Sequence, residues 1–83
     1  IENLVLIEQR QIEGADEGTW FGFENLTWVP LDRALIDTDL LSPEERDWVD
    51  HYHACCREIL GQRVADLGDD RAADWLERHT QPL

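Results

Sequence analysis

Apolar positions along the 83 residues change their spacing twice. In Ile1 to Glu8 (IENLVLIE), Leu4, Val5, Leu6 and Ile7 form a short unbroken apolar run, the pattern of a strand covered on both faces. Phe21, Phe23, Leu26, Trp28 and Val29 are aromatic, branched or bulky types that suit a pleated surface, so Phe21 to Val29 predicts a second strand, closed by Pro30. Between them, Gln9 to Thr19 is polar, with Gly14 and Gly18 on either side of Ala15-Asp16-Glu17. This reads as an exposed turn between antiparallel strands. A lone two-stranded hairpin is barely stable in water, so this one requires a partner surface.

Beyond Pro30 the spacing becomes irregular, then helical. In Leu31 to Leu41 the apolar Leu31, Leu35, Ile36, Leu40 and Leu41 are interspersed with Asp32, Arg33, Asp37 and Asp39, as expected of a connector pinned down at intervals. Ser42-Pro43-Glu44-Glu45 then carries a capping hydroxyl, a proline at the first helical position and a glutamate three residues after the cap. From there Trp48, Val49, Tyr52, Cys55, Cys56, Ile59, Leu60, Val64 and Leu67 recur every three or four residues, predicting a long amphipathic helix from Pro43 to about Leu67. Gly61 lies inside it as a candidate break. Gly68 stops this helix and Asp69-Asp70 caps another, with Ala72, Ala73, Trp75, Leu76 and His79 as inner positions. The fold class is therefore α+β: a β-hairpin, an extended connector and a C-terminal helical hairpin. No internal repeat or low-complexity tract is evident.

Composition narrows the functional classes. Nineteen acidic residues against seven arginines and no lysine give a formal charge of −12, which repels a phosphate backbone and argues against nucleic-acid binding. Such a surface is ordinarily a solvated one. Cys55 and Cys56 are adjacent within the predicted helix, where side chains point about 100° apart, so they do not bridge each other and a reducing cytoplasm is expected. No apolar run approaches the length of roughly 18 residues needed to span a membrane, and no membrane association is expected. The absence of Met and the mid-strand character of the first residues lead us to expect a piece of a larger chain.

Residue chemistry alone offers few candidates. His51, His53, Cys55 and Cys56 resemble a metal cluster, but His51 shares a helix face with Cys55 and His53 another with Cys56, so no three donors converge. Trp20, Trp28, Trp48 and Trp75 are expected in the core, or exposed as anchors of a subunit contact. Glu44 and Glu45 are explained as charges favoured at a helix N-terminus. No Gly-rich phosphate loop, Ser-His-Asp order or CxxC is present.

One resemblance changes the weight of these residues. Ile1-Glu2-Asn3, Phe23-Glu24-Asn25-Leu26-Thr27, Val29-Pro30-Leu31-Asp32, Leu35-Ile36-Asp37, Leu41-Ser42-Pro43-Glu44-Glu45, Trp48, Tyr52-His53 and Trp75-Leu76-Glu77 occur in the right order over essentially the whole chain. The sequence thus resembles the C-terminal region of aminopeptidase P, the Xaa-Pro aminopeptidase of the creatinase-like pita-bread metallopeptidases. The resemblance implies that residues 1–30 are the terminal strands of a catalytic domain and 31–83 a helical tail domain ending naturally at Leu83. It implies that Glu2 is a metal ligand, bridging two divalent ions, Mn or Zn, in the full-length enzyme. A carboxylate suits that task because each oxygen can face one cation of a pair about 3.5 to 4 Å apart. The resemblance further implies peptide substrates with proline in second position, a homodimer, and remaining metal and catalytic groups upstream. The chain by itself is then expected to bind no metal and to be inactive, with no catalytic residue of its own. Two rival readings are a non-catalytic acidic interaction module and a creatinase or prolidase relative acting on another substrate.

Overall fold

Strands β1 (Val5–Arg10) and β2 (Trp20–Asn25) pair antiparallel in the computed structural model, which describes residues 1–11, 13–14 and 18–83. The register sets Val5 opposite Asn25, Ile7 opposite Phe23 and Gln9 opposite Phe21, so these six residues share one face. On the other face Glu8 lies opposite Gly22, and the Arg10 side chain crosses the space that a Cβ at Gly22 would fill. Arg10 there pairs with Glu8 at 2.8 Å and donates to the Phe23 carbonyl at 2.6 Å. The turn read from Ala15-Asp16-Glu17 lies outside the described residues.

Both strands differ in extent from the apolar pattern. β1 begins at Val5 rather than Ile1 and continues to Arg10. β2 spans Trp20–Asn25 and stops well short of Pro30. Past the ladder's last rungs, the Leu26 N–H reaches the Leu4 carbonyl at 2.9 Å, and the Leu4 N–H goes to the Thr27 side chain at 2.8 Å. After that, the backbone of Thr27 and Val29 is engaged by the Tyr52 hydroxyl instead of a neighbouring strand.

The connector is built from two 3₁₀ turns, Arg33–Leu35 and Thr38–Leu40. Each is opened by an aspartate whose carboxylate accepts from the backbone two residues on: Asp32 from Ala34 and Asp37 from Asp39. A five-residue pattern therefore repeats here, Leu31-Asp32-Arg33-Ala34-Leu35 and Ile36-Asp37-Thr38-Asp39-Leu40, which sequence inspection did not register as a repeat.

Helix α1 (Pro43–Asp66) starts in a complete capping box: Ser42 accepts from the Glu45 N–H at 3.1 Å, and Glu45 accepts from the Ser42 N–H at 2.8 Å. It runs through Gly61 without a break. Gly68, at φ +68°, ends this segment in the left-handed conformation that glycine adopts without penalty. Asp69 then caps α2 (Asp70–His79), which packs back against α1.

The core is small: Val49, Tyr52 and Cys56 from α1, Leu76 from α2, and the buried polar His53 and Thr80. Ile59 and Leu67, read as part of the buried stripe, are exposed, as is Ala73. Past α2 the chain folds back over α1. Thr80 donates to the Leu76 carbonyl, Arg57 to the Thr80 carbonyl, Arg33 to the Pro82 carbonyl, and Leu83 N–H to Asp50. The radius of gyration is 16.0 Å, against about 12 Å expected for a compact domain of this length. The difference comes from the hairpin, which projects from the helices and leaves Ile7, Phe21 and Phe23 each more than 60% exposed.

Candidate functional site

Glu2 lies just before β1, and its carboxylate is exposed. No hydrogen bond or ion pair engages it among the described residues. It borders a cleft of about 340 Å³ whose other walls include Asn3, Thr27 and the connector residues Leu31 and Asp32. The chain direction there is fixed by the reciprocal Leu4–Leu26 and Leu4–Thr27 hydrogen bonds, which hold the residues after Glu2 against the end of β2. An unpaired carboxylate beside a held strand end has the chemistry of one ligand to a hard or borderline cation. Among the described residues no three His, Cys, Asp or Glu side chains gather as a metal site, so any further ligands to such an ion would come from beyond them.

The second constellation joins the hairpin to the helices. Tyr52 projects from α1 so that its hydroxyl lies 3.1 Å from the Val29 N–H, which it accepts, and 2.8 Å from the Val29 carbonyl, to which it donates. The Thr27 carbonyl is 3.2 Å away. The Tyr52 ring stacks on Trp28 at 5.6 Å and on Trp48 at 5.4 Å, so an aromatic triple layer spans strand end and helix. Burial pushes the phenol above its ordinary range, while the hydrogen bond to Val29 pulls the other way.

One residue on, fully buried His53 accepts the Leu31 N–H through Nε2 at 3.0 Å. That bond assigns the ring proton to Nδ1, which is buried and has no partner among the described residues. Burial holds the imidazole below its ordinary pKa; the Arg33 cation acts in the same direction and Asp50 in the opposite one. Cys56, also buried, has its thiol pushed up by burial.

The predicted helix-face pairs are visible. His51 Nε2 and Cys55 Sγ lie 3.6 Å apart at the cleft between α1 and the hairpin, whereas His53 and Cys56 point into the core. The tryptophans depart from the core expectation: Trp20, Trp48 and Trp75 are 42%, 54% and 45% exposed, and only Trp28 is half-buried. They flank other groups instead of filling the interior, and Trp75 stacks on His79 at 4.5 Å. Trp28, Trp48 and Tyr52 line an apolar cleft of about 330 Å³ together with Val5 and Phe23. Sequence reasoning assigned Tyr52 and His53 to packing and missed their hydrogen bonds to the connector. The available signal was an adjacent Tyr-His pair on the buried stripe, two polar groups needing buried partners.

The hairpin's continuation is thus held to the capped helical hairpin by Tyr52 and His53. Residues 19–83 match the profile of the C-terminal region of peptidase_M24, and the chain belongs to that family. Over its whole length it is 34% identical to aminopeptidase P1 of Lotus japonicus and 40% identical to the probable Xaa-Pro aminopeptidase P of Talaromyces stipitatus. Its fold matches the crystal structure of X-prolyl aminopeptidase from Caenorhabditis elegans, described as a cytosolic enzyme with a di-nuclear active site, with a TM-score of 0.82 and 26% identity over the entire chain. The chain spans 12% of the length of those two relatives and 13% of the nematode enzyme.

Proposed function

We propose that this chain is the C-terminal part of a metal-dependent Xaa-Pro aminopeptidase, which releases the N-terminal residue from peptides with proline in second position. The observation that carries the reading is the whole-chain match, in sequence and in fold, to enzymes named for that activity. In this reading residues 1–30 complete a catalytic domain and residues 31–83 form its tail. Glu2 would be one of the residues that hold two divalent ions, Mn or Zn. Such ions would supply Lewis-acid polarisation and a more acidic water. Within this chain, the Leu4–Leu26 and Leu4–Thr27 bonds set the position of Glu2, and Tyr52 and His53 fix the connector beside it. A cytoplasmic, homodimeric enzyme belongs to the same proposal.

Glu2→Ala in the full-length protein should lower bound divalent metal, measured by elemental analysis, and reduce hydrolysis of an Xaa-Pro peptide by at least about a hundredfold, the order expected when a catalytic group is lost. A variant retaining full metal content and full rate would remove Glu2 from the metal site. If the wild-type full-length protein instead failed to cleave any Xaa-Pro peptide with Mn or Zn supplied, the interaction-module and creatinase-type alternatives would take its place.

A further inference from the structure

Protonation of His53 would place two donors face to face. In the neutral ring, Nε2 carries the lone pair that receives the Leu31 N–H at 3.0 Å. Adding a proton turns that nitrogen into a donor pointing at another donor, inside a site where His53 has no exposed surface. The new charge would be buried with its Nδ1–H unpartnered. The charged groups acting on the ring are Arg33 from the connector, which repels it, and Asp50, one turn earlier on α1, which attracts it. Asp50 is already engaged by the Leu83 N–H, and Arg33 by the Pro82 carbonyl.

We propose that the His53–Leu31 contact is a proton-sensitive latch, through which α1 holds the start of the connector only while the imidazole is neutral. The consequence is local. Leu31 is the residue from which the two 3₁₀ turns hang, since the Asp32 carbonyl accepts from Leu35 and the Asp32 side chain caps the first turn. Acidification through the His53 titration therefore frees the connector's entry while α1, held by its own capping box and by Val49, Cys56 and Leu76, stays helical. The latch rests on this contact alone and is independent of any role for Glu2.

The test is hydrogen exchange read by mass spectrometry on the full-length protein between pH 8 and 5, followed in short peptides covering Leu31 and, for comparison, the middle of α1. The proposal expects the Leu31 protection factor to fall at least tenfold as His53 takes up its proton, at a pH below the ordinary histidine range. The peptides from the middle of α1 should hold their protection. His53→Gln, which retains an acceptor at the same reach without a titrating group, should keep Leu31 protected throughout. A Leu31 protection factor unchanged across the wild-type His53 titration would overturn the proposal, and so would a step of the same size in His53→Gln. Should His53→Gln not fold, the wild-type titration still decides between the two outcomes.

Discussion

At the residue scale, Tyr52 bears the largest share of the junction between hairpin and helices, because one hydroxyl serves both backbone groups of Val29. Tyr52→Phe keeps the stack on Trp28 and Trp48 but leaves a partly buried N–H and carbonyl without that partner. The expected cost is about 1–3 kcal/mol, read as a lower denaturant midpoint with an unchanged slope. His53 adds a pH dependence of definite sign. Its folded-state pKa lies below the ordinary value of about 6.5. Between the two values the unfolded chain binds more protons than the folded one. Stability conferred by neutral His53 is thus complete above pH of about 6.5, declines as pH falls below it, and levels off beneath the folded value. Unfolding midpoints measured from pH 8 to 5 should show this decline in the wild type and not in His53→Gln. Residue identity shows that Tyr52 and His53 need polar partners once buried, but not that those partners are the backbone groups of Val29 and Leu31, 23 and 22 residues away.

At the scale of elements, legibility followed the range of the interactions. The capping box of α1, the stop at Gly68 and the Asp69 cap are decided within four residues, and all were visible in the sequence. Ser42→Ala removes one half of the capping box and should cost about 1 kcal/mol, seen as fraying of the Glu45 and Arg46 amides in hydrogen exchange. The ends of β1 and β2 were less legible because side chains from elsewhere set them. Thr27 takes the Leu4 N–H and Tyr52 takes Val29, so the ladder stops before Pro30 despite a favourable run of residue types. The connector lay between these cases. Its two aspartate-capped turns are local, but a five-residue repeat falls outside both the helical and the strand period by which the chain was read. For the candidate metal edge, spacing within 83 residues carried nothing, and Glu2 became a candidate only through resemblance to a longer protein.

At the scale of the molecule, the governing fact is the poverty of the core. Among the described residues four apolar and two polar side chains are buried, while both faces of the hairpin and three of the four tryptophans remain open. An exposed apolar surface of this kind is ordinarily covered by another surface, and an open two-stranded edge is a template for further pairing. The isolated chain should therefore associate at concentrations where a finished domain stays monomeric, and sedimentation velocity should show the mass average rising with loading concentration. Phe21→Ser with Phe23→Thr should shift that distribution toward monomer while helical circular dichroism from α1 and α2 persists. A wild-type chain sedimenting as a monomer throughout would show that the hairpin face is not adhesive.

The layered Trp28, Tyr52 and Trp48 rings also give the chain an optical signature. Near-parallel rings with centroids 5.6 and 5.4 Å apart lie within the range at which electronic transitions couple, and the Trp28 ring joins the layer only while the end of the hairpin rests on α1. Separating those two parts would remove the Trp28 contribution to the coupled near-ultraviolet dichroism and alter indole emission, even with every helical hydrogen bond and the Trp48–Tyr52 stack intact. Docking and helix content can accordingly be followed as separate spectroscopic channels, without a label, in a single sample.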